Sequence, residues 1–200
     1  MSLWVKICGL RTADAIAAAA TAGAQAVGFV FHEASPRNLD VGEAAALQRV
    51  VPSGVERVAV FLHPAQALVD AVLEAVRPDW VQTDVADLAR LRLPASQRVL
   101  PVVRDAASVA SLPARILFES AHSGSGDTAD WELAARLAGR AELVLAGGLE
   151  PSNVAEAIAR VRPFGLDVSS GVESSRGLKD PARIREFVAA ARAAHARLAG

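Results

Sequence analysis

The sequence holds one cysteine, Cys8, among 200 residues, which rules out an intramolecular disulfide and fits a reducing compartment such as the cytoplasm. Neither sign of charge is in excess: 21 Lys and Arg face 22 Asp and Glu, a formal net charge of −1. That balance offers no electrostatic footprint for nucleic acid or for an anionic membrane. The start, Met1-Ser2-Leu3-Trp4-Val5-Lys6, has no basic region ahead of an apolar one, so no signal peptide is expected. Long apolar runs are also missing. Ala15 to Phe31 carries no charge, but most of it is alanine and glycine, and Gly23 stands where a helix should stop. It reads as a helix and a buried strand, not as a membrane span. His32, His63, His122 and His195 show no metal-ligand spacing, so no metal is expected. With no linker, low-complexity segment or tandem repeat, residues 1–200 are expected to form a single domain.

What is present is an alternation. Short β-like runs cover Leu3–Ile7, Ala26–Val30, Arg57–Phe61, Trp80–Gln82, Val99–Val103, Ile116–Phe118, Leu143–Ala146 and Gly165–Val168. Helical patterns lie near Ala13–Ala22, Val41–Val50, Ala65–Val76, Ala86–Leu91, Ala106–Leu112, Asp130–Leu137, Ser152–Arg160 and Pro181–Ala194. Continuous apolar strands flanked by helices imply a parallel sheet covered by helices. An open doubly wound sheet has five or six strands, whereas eight βα units close a (β/α)₈ TIM barrel. The α/β class and a single (β/α)₈ barrel are therefore predicted, with several helices only one to three turns long. The last helix has a clear start, because Asp180 can cap it and Pro181 suits its first position. Trp4, Trp80 and Trp131 are expected in or near the core.

The last two strand-like runs end in small residues. One runs into Gly147-Gly148 and the other into Ser169-Ser170-Gly171. Backbone N–H groups there meet no Cβ that would block an oxyanion. The loops after strands 7 and 8 form the usual phosphate site of such barrels, so a phosphorylated small molecule is the expected ligand. Cys8, followed by Gly9, ends the first strand, where catalytic groups of a barrel sit and where Gly9 leaves room for substrate. A buried, inert thiol is the alternative. Strand alternation puts Lys6 on the same inward face as Cys8, and a nearby ammonium favours the thiolate. Lys6 needs a partner inside a barrel, and closure of strand 8 on strand 1 offers Asp167; a solvated strand-end lysine is the alternative. Glu119, directly after the sixth strand, is a general-acid candidate whose partial burial would favour the protonated form, or else a capping or solvated carboxylate. Arg37, in the Pro-stiffened loop after strand 2, suits a bidentate grip on a carboxylate, or is an ordinary surface arginine. Ser123-Gly124-Ser125-Gly126 reads as a flap, an anion-binding backbone or a plain loop.

The chain resembles the phosphoribosylanthranilate isomerases of tryptophan biosynthesis. The resemblance runs in order through Val5-Lys6-Ile7-Cys8-Gly9-Leu10, Ala26-Val27-Gly28-Phe29-Val30-Phe31, Ser35-Pro36-Arg37, Val58-Ala59-Val60-Phe61 and Asp130-Trp131. It continues through Leu145-Ala146-Gly147-Gly148-Leu149, Pro151, Asn153-Val154, Asp167-Val168-Ser169-Ser170-Gly171-Val172-Glu173, Gly177, Lys179-Asp180 and Phe187. It implies an Amadori rearrangement without metal or organic cofactor, acting on a small phosphorylated substrate, by a monomer or homodimer. It also implies that Cys8 removes the C2' proton and that a carboxylic acid after strand 6 protonates the furanose ring oxygen. Arg37 would hold the anthranilate carboxylate, Gln82 and Asp167 would contact substrate, and Gly147, Gly148, Ser169, Ser170 and Gly171 would hold the phosphate.

The sequence departs from the resembled pattern twice. The family usually has Asp after strand 6, where this chain has Glu119; it usually reads Gln-Leu-His-Gly after strand 4, where Gln82 is followed by Thr83-Asp84-Val85. One more methylene moves a carboxyl by about 1 Å, and such a displacement costs on the order of a hundredfold in rate unless the mouth is repacked. Either Glu119 is the acid, with Asp84 in the space of the histidine, or Asp84 is the acid. Two other readings stand beside the isomerase. One is a repurposed, non-catalytic phosphate-binding barrel. The other is the related aminoaldose isomerase of histidine synthesis, which carries Asp where this chain has Cys8.

Overall fold

A computed structural model of the chain describes residues 3–105, 112–119 and 129–199. Eight parallel strands close on themselves in sequence order. They are β1 (Trp4–Cys8), β2 (Ala26–Phe31), β3 (Glu56–Phe61), β4 (Trp80–Asp84), β5 (Arg98–Val103), β6 (Arg115–Phe118), β7 (Glu142–Leu145) and β8 (Gly165–Val168). Closure is made by β8 against β1, with Lys6 opposite Asp167 and Ile7 opposite Val168. The predicted (β/α)₈ barrel is the observed fold.

Strand alternation divides the apolar residues into two sets. Trp4, Ala26, Val58, Trp80, Leu100, Leu117 and Val144 pack together inside the barrel. Val5, Ile7, Val27, Phe29, Ala59, Val81, Ile116, Leu143 and Leu166 pack outward against the helices. The three tryptophans are all buried, as expected.

The helices are α1 (Ala13–Ala22), α2 (Val41–Leu47), α3 (Gln66–Val76), α4 (Val85–Leu88), α5 (Trp131–Ala138), α6 (Val154–Val161) and α7 (Pro181–Ala199). Local chemistry sets several of their ends. Thr12 Oγ1 accepts from Ala15 N at the start of α1, and Gly23 adopts the left-handed conformation that ends it. Asp40 and Glu43 form a reciprocal capping box on α2. Asp180 Oδ1 accepts from Ala182 N at 2.7 Å ahead of Pro181, the start anticipated for α7.

Some boundaries differ from the sequence reading. The helix expected over Val41–Val50 becomes a tighter 3₁₀ turn at Gln48–Val50. The fourth strand runs on to Asp84 because its backbone keeps pairing with β5 as far as Val102. A small antiparallel hairpin, β9 (Glu173–Ser175) and β10 (Leu178–Lys179), follows β8. It was not anticipated, because strands of three and two residues carry no readable period. The helix expected near 106–112 lies, apart from Leu112, outside the described residues, as do His122 and Ser123-Gly124-Ser125-Gly126.

Candidate active site

A cavity of about 220 Å³ opens at the C-terminal ends of the strands. Its wall includes Cys8 from β1, Arg37 after β2, Gln82 from β4, Arg104 after β5, Glu119 after β6, and Asp167 and Ser169 at the end of β8. The fold thus gathers most of the predicted residues in one place. Val30, Val60, Phe61, Leu62 and Pro36 supply an apolar side.

Lys6 is fully buried, and its Nζ donates to Asp167 Oδ1 at 2.8 Å. Burial alone would lower its pKa; the charge and hydrogen bond of Asp167 outweigh that and raise it above the ordinary lysine value. The neighbouring thiol does not follow the expectation from sequence. Burial pushes the Cys8 pKa up, and the opposing pull of Lys6 and Lys179 does not cancel it. The ammonium of Lys6 is shared with Asp167, whose own charge also disfavours a thiolate. Space for the two side chains comes from Gly28 on β2, where a Cβ would stand 3.0 Å from Cys8 Sγ and 3.1 Å from Lys6 Cε.

Gly9 has a different task from the one expected. It sits at φ +76°, and a Cβ there would lie 2.6 Å from Arg37 Cδ, so it makes room for the arginine stem. Arg37 does form a bidentate grip, but on a residue of the chain itself. Nε and Nη2 donate to the two carboxylate oxygens of Glu173 at 2.7 and 2.9 Å. Lys179 Nζ donates to the same carboxylate at 2.7 Å and to Ser169 O and Oγ at 2.9 and 3.1 Å. Burial would raise the Glu173 pKa, yet the hydrogen bonds from Arg37 and Lys179 hold it down to about 2. Lys179 moves the other way for a lysine that is paired: burial lowers its pKa and Glu173 offsets only part of that. The hairpin therefore braces Arg37 beside the cavity, a device that sequence reasoning missed.

The two acid candidates meet through an arginine. Arg104 Nη1 donates to Glu119 Oε2 at 3.0 Å, while its Nε and Nη2 donate to Asp84 Oδ1 at 3.2 and 3.0 Å. Glu119 is among the cavity residues and Asp84 is not. Burial is thus only part of the surroundings expected for Glu119, since a guanidinium lies against it. Arg104 could have been found from sequence: it continues the inward parity of Leu100 and Val102 just past β5. Gln82 is buried, and its Oε1 meets no hydrogen-bond partner among the described residues.

The loops after β7 and β8 lie against each other. Gly147 and Gly148 have φ of +85° and +62°. At Gly171 a Cβ would fall 1.9 Å from Leu149 O, so only glycine lets the two loops touch. Asn153 pins the first loop, with Nδ2 donating to Gly148 O and Oδ1 accepting from Glu150 N. The N–H groups of Gly147, Gly148, Ser170 and Gly171 meet no acceptor among the described residues. Ser169 lines the cavity itself, and its Oγ donates to Cys8 O at 3.1 Å.

The fold also assembles a group that histidine spacing did not reveal. His63, Asp84 and Asp87 bring one donor atom each within 4.8 Å. Asp87 already accepts from Thr83 Oγ1, Arg90 Nη2 and the His63 backbone, and Asp84 accepts from Arg104. Arginines hold the oxygens a cation would need, so the group reads as a hydrogen-bonded brace of the rim. Burial would raise the Asp87 pKa, but the bonds from His63, Thr83 and Arg90 hold it at about 2.

Closed barrels that gather titratable groups around a cavity at this end are (β/α)₈ enzymes. Comparison with known proteins narrows that class. The family model described as N-(5'phosphoribosyl)anthranilate (PRA) isomerase matches residues 5–190, and the chain belongs to that family. It is 42% identical to the N-(5'-phosphoribosyl)anthranilate isomerase of Thiobacillus denitrificans, covering 96% of this chain and 100% of that one. Among solved structures, a monomeric form generated from the dimeric phosphoribosylanthranilate isomerase of Thermotoga maritima superposes with a TM-score of 0.81 at 33% identity. That match covers 96% of this chain and 99% of the other. A phosphoribosyl anthranilate isomerase in complex with reduced 1-(o-carboxyphenylamino)-1-deoxyribulose 5-phosphate superposes with a TM-score of 0.77 at 30% identity, covering 96% and 99%.

Proposed function

We propose that this barrel isomerises N-(5'-phosphoribosyl)anthranilate to 1-(o-carboxyphenylamino)-1-deoxyribulose 5-phosphate in tryptophan biosynthesis, with Cys8 as general base and Glu119 as general acid. The observation that carries the assignment is that a thiol and a carboxyl line one cavity, beside two loops whose N–H groups meet no acceptor among the described residues. Gly147, Gly148, Ser169, Ser170 and Gly171 hold the phosphate. Arg37 holds the anthranilate carboxylate with the corner of its fork that Glu173 leaves, and the ring lies against the apolar side. Gln82 and Asp167 contact the sugar.

Glu119 gives its proton to the furanose ring oxygen as the nitrogen lone pair forms the C1'=N bond and the C1'–O bond breaks. Cys8 then removes the C2' proton, and the electrons of that C–H bond move toward the iminium to leave an enolamine. Tautomerisation of its C2' hydroxyl gives the ketone. These steps use side chains of the chain alone, with no cofactor and no metal. We place the enzyme in the cytoplasm as one catalytic domain, monomeric or homodimeric; its lone cysteine agrees with that compartment, and among the described residues no helix is long and apolar enough to cross a membrane.

The test is turnover of freshly generated phosphoribosylanthranilate, followed by loss of its fluorescence, for the parent, Cys8→Ala and Glu119→Gln. Loss of turnover in both variants is expected, on the order of a hundredfold or more each. Loss with Cys8→Ala alone would move the acid role to Asp84. Tight binding of a phosphorylated ligand without parent turnover would leave a barrel that has kept its grip and lost its chemistry. With Cys8 needed as the base and Glu119 as the acid, kcat/KM should follow a bell in pH, and because burial raises the Cys8 pKa the limb that Cys8 sets lies on the alkaline side.

A further inference from the structure

The ends of β4, β5 and β6 carry a cluster that acid–base catalysis by Cys8 and Glu119 uses only in part. Arg104 lines the cavity and stands between two carboxylates. Asp84 receives two of its N–H groups on one oxygen, at 3.2 and 3.0 Å, and Glu119 Oε2 receives Nη1 at 3.0 Å. The side chains of Arg104, Asp84 and Glu119 are 23%, 18% and 17% exposed, so solvent reaches each only in part.

We propose that Arg104 is a positioning residue for proton transfer: anchored by Asp84, it fixes the Glu119 carboxyl at the cavity wall. The inference rests on the reading of Glu119 as the acid. A glutamate has one more rotatable bond than an aspartate, so its carboxyl sweeps a wider arc unless something restrains it. The guanidinium is flat and rigid, with donors on separate edges. Asp84 takes the Nε/Nη2 edge, which sets the plane and direction of the fork. Nη1 then meets Glu119 along one fixed line, and Oε2 is held where that line ends. Arg104 is not the acid itself. Its contribution passes through Glu119.

The experiment is a double-mutant cycle on the full chain, read as kcat and KM for phosphoribosylanthranilate. Arg104→Met should lower kcat on the order of tenfold to a hundredfold while KM stays within about threefold. In a Glu119→Gln background the same substitution should change residual kcat by no more than about twofold, because the group it positions is gone. Asp84→Asn should show a smaller loss of the same kind, likewise absent in that background. A simple bracing role would instead lower the melting temperature and leave kcat of the folded protein alone. Unchanged kcat in Arg104→Met overturns the proposal. So does a loss that multiplies with that of Glu119→Gln, which would mean that Arg104 meets the substrate directly. If Arg104→Met does not fold, Arg104→Lys runs the same cycle, keeping the charge and losing the two-edged fork. A parent that does not turn over is a separate outcome: it removes the reading of Glu119 before any variant is compared, and this inference with it.

Discussion

The two ends of the barrel use the same kinds of residue for opposite purposes. At the N-terminal end the inward positions close the barrel. Arg98 lies over the Trp80 ring at 4.4 Å and Arg115 at 5.0 Å, while Arg115 also covers Phe164. Glu56 ties Arg98 to the Trp4 indole, and Glu142 holds Arg115. Arg98 and Arg115 each meet both a carboxylate and an aromatic face there. At the C-terminal end the charges are more deeply buried: Lys6, Asp167, Arg37, Glu173 and Lys179 are each at most 8% exposed. Arg37 and Asp167 line a cavity, and Gln82 Oε1 and the N–H groups of Gly147, Gly148, Ser170 and Gly171 at this end meet no partner among the described residues. The floor stacks its arginines on aromatic rings, whereas the mouth leaves a cavity lined by titratable side chains.

Four outcomes test that contrast. Lys6→Met at the mouth should move rate and stability together. It strands the buried Asp167, which costs about 3–5 kcal/mol in stability by urea titration, and it should remove nearly all turnover. Trp80→Ala at the floor should cost a similar amount, about 3–5 kcal/mol, yet leave kcat of the folded protein within about threefold. A large fall in kcat from that change would break the division between the ends.

Acid should loosen the mouth next. Glu173 is lowered to about 2 from an ordinary 4.5, so the folded protein takes up its proton less readily than the unfolded chain. The stability it contributes is present above pH 4.5 and disappears as pH falls toward 2, roughly 3 kcal/mol in all. Urea midpoints between pH 5 and pH 2.5 should fall less steeply in Glu173→Gln than in the parent. The smallest effect belongs to the exposed part of the floor. Glu56→Gln breaks a half-exposed pair and should cost about 1 kcal/mol or less, with no change in kcat.

Much of the barrel was readable because its signals are local. Runs such as Val58-Ala59-Val60-Phe61 declare strands, and the count of eight βα units selects closure over an open sheet. The Lys6–Asp167 pair also followed, since parity and closure together leave Lys6 few partners. Other features needed coordinates. Gly9 looked like room for substrate and proved to be room for Arg37, because a missing Cβ does not say which neighbour fills the gap. The thiol was expected to be eased toward thiolate by Lys6, but parity carries no measure of burial, and burial sets the direction.

By itself the sequence determined the fold class, the order of the strands, the end of the barrel that carries the chemistry, and the residue types available there. These depend on periodicity and on small residues at strand ends, which are properties of neighbours in the chain. Only the tertiary structure decided which charges pair. Arg37 with Glu173 and Arg104 with Asp84 and Glu119 join residues from separate βα units. Each could have met another partner. The selection was made by strand register and side-chain reach, which exist only once the barrel is closed.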